Sequence, residues 1–114
     1  MIEQHSIVTQ DVLENMVLAI VDVVKPEKIY LFGSVARGEA TEGSDIDLLI
    51  VTEENFENYG RWSELRRIRH VLTPFPLSKD ILLYSRDEMA YWQDAINHIT
   101  THAVREGKLL YERH

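Results

Sequence analysis

The stretch KIYLFGSVARGEATEGSDIDLLIVT, residues 28–52, decides how this chain is read. It opens with a short apolar run, Lys28–Phe32, that stops at Gly33, the pattern of a buried strand closed by a turn residue. Ala36–Ala40 follows as a helical turn and Gly43-Ser44 as a loop. Asp45–Thr52 is then a second strand, entered through alternating polar and apolar positions. The residues between the strands carry chemistry. A glycine at 33 lets a ligand approach the backbone closely, and backbone N–H groups at a helix start favour an anion. Ser34 adds a hydroxyl and Arg37 a planar cation suited to phosphate, so Gly33, Ser34 and Arg37 outline a candidate triphosphate cradle. For Arg37, an ion pair with Glu39 or Glu42 is the competing expectation.

Asp45 and Asp47 stand two apart on the second strand. Side chains alternate faces along a strand, so both carboxylates project to one side with Cα atoms roughly 7 Å apart. Two such carboxylates repel unless a cation sits between them, and Mg²⁺ is held by one or two carboxylates together with substrate phosphates. Residues 39–57 hold seven acidic side chains and no Lys or Arg, which deepens the local negative charge. A third candidate is Asp80, at the head of another apolar strand, KDILLYS (79–85). There a carboxylate is out of place unless the strand end opens onto a site. If that strand lies beside 45–52, Asp80 reaches the same ions, and it could also accept a hydroxyl proton. The plainer reading of Asp80 is a capping or salt-bridged acid.

Outward from this centre, Val8, Val12, Met16, Ile20 and Val24 recur at helical spacing, giving a helix over about 9–24 with Thr9 as N-cap and Pro26 as its stop. Trp62, Leu65, Ile68 and Leu72 mark a helix over about 60–72, ended by Pro74 and Pro76. Ser85-Arg86-Asp87-Glu88 matches a capping box. Met89, Trp92, Ile96, Ile99 and Ala103 predict one helix running to about residue 105, with Gly107 at its C-terminal cap and Lys108–Tyr111 as a short last strand. The fold class is therefore α/β or α+β: a small mixed sheet flanked by helices.

Composition agrees with one globular domain over the 114 residues, 45% hydrophobic and 27% charged. Twelve Lys+Arg against nineteen Asp+Glu give a net charge of −7, which repels phosphate backbones and disfavours direct nucleic-acid binding. The absence of cysteine excludes disulfides, thiolate metal sites and a thiol nucleophile. The start, Met1-Ile2-Glu3-Gln4-His5, lacks the pattern of a signal peptide, and apolar runs such as Val17–Val21 are far short of the roughly 18 residues that span a bilayer. A cytoplasmic protein with no membrane association is expected. Arg61, Arg66, Arg67 and Arg69 make the helix over 60–72 basic, read first as a solvated face pairing with Glu64, with a partner surface or RNA contact as the alternative. Trp62 and Trp92 read as core or interface anchors, and His98 and His102 as ordinary exposed histidines.

Gly33-Ser34, ten intervening residues and Asp45-x-Asp47 together resemble the signature of nucleotidyltransferases of the DNA polymerase β superfamily. The longer run GSVARGEATEGSDIDLLIV looks most like the minimal nucleotidyltransferases, the MNT antitoxins of HEPN/MNT toxin–antitoxin pairs. The resemblance implies a nucleotidyltransferase fold and transfer of a nucleoside monophosphate from an NTP to a hydroxyl with release of pyrophosphate. It assigns Gly33 and Ser34 to the triphosphate, Asp45 and Asp47 to Mg²⁺, and Asp80 to the third acidic position. Arg37 and Ser44 lie inside the family pattern as supporting contacts to the nucleotide. It further implies ATP as substrate, a HEPN-type toxin as partner and AMP placed on a toxin tyrosine. A chain this short carries no acceptor domain, so the acceptor is expected on another chain, a partner or a second copy. The alternatives are a non-catalytic antitoxin that neutralises its partner stoichiometrically and a small-molecule nucleotidyltransferase.

Overall fold

The computed structural model describes residues 9–39, 45–53, 56 and 60–113. Helix α1 spans Gln10–Val24, and the Thr9 hydroxyl caps it by accepting the Val12 N–H at 3.2 Å. It ends at Lys25, which adopts a left-handed conformation (φ 49°) just before the buried Pro26. Strand β1 is Lys28–Phe32, and the short helix α2, Gly33–Ala36, starts directly after it. The helical turn therefore begins at Gly33, not at Ala36. The expected Gly43-Ser44 loop lies outside the described residues. Then follow β2 (Ile46–Thr52), α3 (Arg61–Val71), β3 (Lys79–Ser85), α4 (Arg86–Trp92), α5 (Ile99–Glu106) and β4 (Lys108–Glu112).

The single helix expected over 86–105 is two helices. The capping box at the start of α4 forms: Ser85 Oγ accepts the Glu88 N–H at 3.1 Å and Glu88 Oε1 accepts the Ser85 N–H at 2.9 Å. Past Trp92 the chain turns and restarts at His98, whose Nδ1 accepts the Thr100 N–H at 3.2 Å as the N-cap of α5. The His98 ring stacks on Trp92 at 4.0 Å and meets Tyr84 edge-on at 5.8 Å. These local bonds override the apolar periodicity, and Ile96 is left 70% exposed.

The four strands form one mixed sheet in the order β3-β2-β1-β4. β1 pairs antiparallel with β2 and β4, whereas β2 and β3 are parallel, with α3 in the connection that such a pair requires. β2 is central, and Ile46, Leu48, Leu49, Ile50 and Val51 are all buried, which explains its nearly unbroken apolar run. One face packs Ile29, Leu31, Leu48 and Ile50 against Met16 and Ile20 of α1 and Leu65 and Ile68 of α3. The other face is smaller: Leu49 and Val51 meet Ala103 of α5, with Met89 of α4 beside them. Gly107 is needed for space, since a Cβ there would overlap the carbonyl oxygens of Ala103 and Leu31. Among the described residues no helix is long and apolar enough to cross a membrane.

Candidate active site

The carboxylates meet because β2 and β3 run parallel in matched register. Asp47 lies directly beside Asp80, and Ile46 beside Lys79. The antiparallel pairing of β1 sets Phe32 opposite Asp47, so Gly33 comes to rest against the Asp47 side chain. Gly33 has φ +78°, and a Cβ at this position would overlap Oδ2 of Asp47. Glycine is thus required twice over, by backbone conformation and by space. Asp45 stands one residue before β2, exposed, as is Asp80 on its strand, while Asp47 is half-buried.

Burial is the main cause that raises the Asp47 carboxyl above the ordinary carboxylate range. The negative charges of Asp80 and Asp45, and a hydrogen bond with Asp80, push the same way, and Arg37 opposes them. The cluster therefore has more negative charge than its own cations balance. Among the described residues no group of three His, Asp or Glu side chains is closed into a ready-made metal cage. The neighbouring carboxylates of Asp45, Asp47 and Asp80 nevertheless suit a hard divalent ion whose remaining ligands come from substrate phosphates.

Ser34 is half-buried at the start of α2, next to Gly33. Arg37 follows α2 and donates from Nε to Oε1 of Glu39 at 2.9 Å. Arg37 thus forms one of the ion pairs expected of it, and that bond raises the guanidinium pKa further; Glu42 lies outside the described residues. Ser44, the remaining expected nucleotide contact, lies outside the described residues. Gly33, Ser34, Asp45, Asp47 and Asp80 thus converge at one end of the sheet, with Arg37 close enough to influence Asp47.

One supporting residue escaped the sequence reading. Lys79 Nζ turns back from β3 and donates to the carbonyl oxygens of Phe75 at 2.6 Å and Leu77 at 2.8 Å. Burial lowers its pKa. It ties the connection from α3 to the strand that carries Asp80. A lone Lys heading an apolar strand was the only available signal.

Residues 13–109 match the family described as Nucleotidyltransferase domain. Over 43 residues the chain is 54% identical to "Putative protein adenylyltransferase MJ1379" of Methanocaldococcus jannaschii, a stretch covering 38% of this chain and 41% of that protein. Over 65 residues it is 29% identical to protein adenylyltransferase MntA of Shewanella oneidensis, covering 55% of this chain and 47% of the relative. The chain thus spans less than half the length of these curated relatives. A toxin–antitoxin crystal structure with AMP-PNP superposes with a TM-score of 0.60 at 22% identity, covering 88% of this chain and 73% of that one, a likeness of fold. The family match runs from inside α1 into β4 and takes in the glycine turn after β1 and both carboxylate-bearing strands that follow it, and the chain belongs to the nucleotidyltransferase domain family.

Proposed function

We propose that residues 1–114 act as a single minimal nucleotidyltransferase domain that moves AMP from ATP to a protein hydroxyl in the cytoplasm. The acceptor is a tyrosine of a HEPN-type toxin, and the modification silences it. The observation that carries this reading is the register pairing Asp47 with Asp80 while Gly33 packs against the Asp47 carboxylate. The naming of the relatives as protein adenylyltransferases supports AMP transfer to protein, and the toxin–antitoxin structures support a toxin partner.

The triphosphate lies against Gly33 and Ser34, beside the Asp47 carboxylate that fills the space a Cβ at Gly33 would take. Asp45, Asp47 and Asp80 would hold Mg²⁺, which when bound supplies the positive charge that lets the carboxylates and phosphates share one site. The acceptor hydroxyl oxygen bonds to the α-phosphorus, the bond from that phosphorus to the bridging oxygen breaks, and pyrophosphate leaves. Asp80, exposed at the edge of the cluster, takes the hydroxyl proton.

Intact mass of the copurifying partner tests this, after incubation with ATP and Mg²⁺ and either wild type or an Asp45→Asn/Asp47→Asn variant. AMP-sized adducts with wild type alone are expected. No adduct with either, alongside a stable complex in both, would replace the reading with a stoichiometric binding module.

A further inference from the structure

We infer that the outward face of α3 is a docking surface for an acidic segment of a protein partner. Half of the chain's eight arginines stand in this one eleven-residue helix. Two are used internally. Arg61 pairs with Glu88 and lies over the rings of Phe56 at 4.8 Å and Tyr84 at 5.4 Å. Arg67 donates to Glu64 at 3.0 Å and to the Val23 carbonyl at 2.7 Å.

Arg66, Arg69 and His70 are different. They are exposed, and their side chains make no ion pair or hydrogen bond among the described residues, in a chain whose acids outnumber its cations nineteen to twelve. Trp62 shares their face at helical spacing and is 71% exposed. Beside them a groove of about 470 Å³ between α1 and α3 is lined by Val23, Ser63, Arg66, Arg67, His70 and Val71. Exposed tryptophan and arginine are the residue types that dominate protein–protein contacts.

The charge of the patch selects the partner. Free arginines beside a groove partly lined by Val23 and Val71 complement carboxylates interleaved with apolar side chains. A nucleic acid fits less well. The helix is about 16 Å long, so a phosphate chain held there would run past its ends onto a protein of net charge −7. A short acidic segment keeps its carboxylates within a Debye length, about 8 Å at physiological salt, of the exposed arginines. The face also has a direction. α3 leads through residues 72–78 to the strand bearing Asp80, so a partner lying along it extends toward the carboxylate end of the sheet. Docking itself does not depend on the transfer reaction.

Fluorescence anisotropy at physiological salt tests the inference with three labelled probes: a sixteen-residue Glu/Leu peptide of helical spacing, its Lys-for-Glu counterpart and a twelve-nucleotide oligouridylate. Wild type should prefer the acidic peptide. Arg66→Glu with Arg69→Glu should weaken that binding at least tenfold and transfer preference to the Lys peptide, and Trp62→Ala should also weaken it about tenfold. All these positions are exposed, and unchanged melting temperatures would confirm intact folds. Three results would overturn the inference: oligouridylate binding as tightly as the acidic peptide, wild-type dimerisation in light scattering that charge reversal abolishes, or peptide binding that is absent or indifferent to the substitutions.

Discussion

Gly33 and Asp47 constrain one another more tightly than any other pair at the site. With φ at +78° and a carboxylate oxygen where a Cβ would stand, Gly33→Ala is both strained and crowded. Its expected cost is about 1–3 kcal/mol, read as a lower denaturant midpoint with an unchanged m-value. Nucleotide transfer should fall further than stability, because Asp47 must move to make room. Asp47 itself works against the fold when ionised, since its carboxyl pKa is raised by burial and by Asp80 and Asp45. The stability contribution of such a raised group is present below the unfolded carboxylate value, roughly pH 4, and is lost as pH rises through the folded value. Without divalent cations, Asp47→Asn should therefore melt above wild type at pH 7. The gap should close as pH drops below about 4. A variant that melts lower at neutral pH would show that the carboxylate is stabilising as the anion.

At the scale of elements, the site depends on how the strands are entered. β3 begins where Lys79 gathers the carbonyls of Phe75 and Leu77, and Asp80 is the next residue. Lys79→Met keeps the length of the side chain but leaves the Leu77 carbonyl without this donor, while the Phe75 carbonyl keeps the Leu77 N–H at 2.8 Å. The expected loss is about 1–3 kcal/mol, together with a lower kcat, because the strand entry that fixes Asp80 loosens. A variant as stable and active as wild type would mean that solvent replaces the ammonium without cost. The opposite end of β3 passes straight into α4 through the Ser85–Glu88 capping box. There Ser85→Ala should cost about 0.5–2 kcal/mol in thermal unfolding, with little effect on transfer, since Ser85 lies at the opposite end of β3 from Asp80.

For the whole molecule, the two faces of the sheet differ in weight. α1 and α3 cover one face with a large buried cluster, while the short α4 and α5 cover the other around Leu49, Val51 and Ala103. Ile50 is fully buried on the first face, whereas Leu82 is only half-buried on the second. Ile50→Ala should cost about 2–5 kcal/mol and Leu82→Ala clearly less, measured by chemical denaturation. Equal losses would mean that the second face is packed as firmly as the first.

Local pattern alone was enough to define the strands, the first and third helices and the cluster of Gly33, Ser34, Asp45 and Asp47. Apolar spacing reports which face is buried, and the glycine and the two acids are neighbours in the chain. Asp80 was legible only as an acid heading a strand. Its place beside Asp47 comes from parallel pairing between segments more than thirty residues apart, which no local rule encodes. Lys79 is a local case that still escaped notice, because its partners are backbone carbonyls two and four residues earlier and no side-chain pattern marks them. The break between α4 and α5 was hidden because Ile96 and Ile99 keep the helical rhythm. Stacking of His98 on Trp92 and its cap on Thr100 exist only once the chain has turned. Likewise, the period that put Trp62 in line with Leu65 and Ile68 could not say that it would be left 71% exposed. Chain-local chemistry was determined by the sequence, and the tertiary structure decided which distant groups share a dielectric environment and a hydrogen bond.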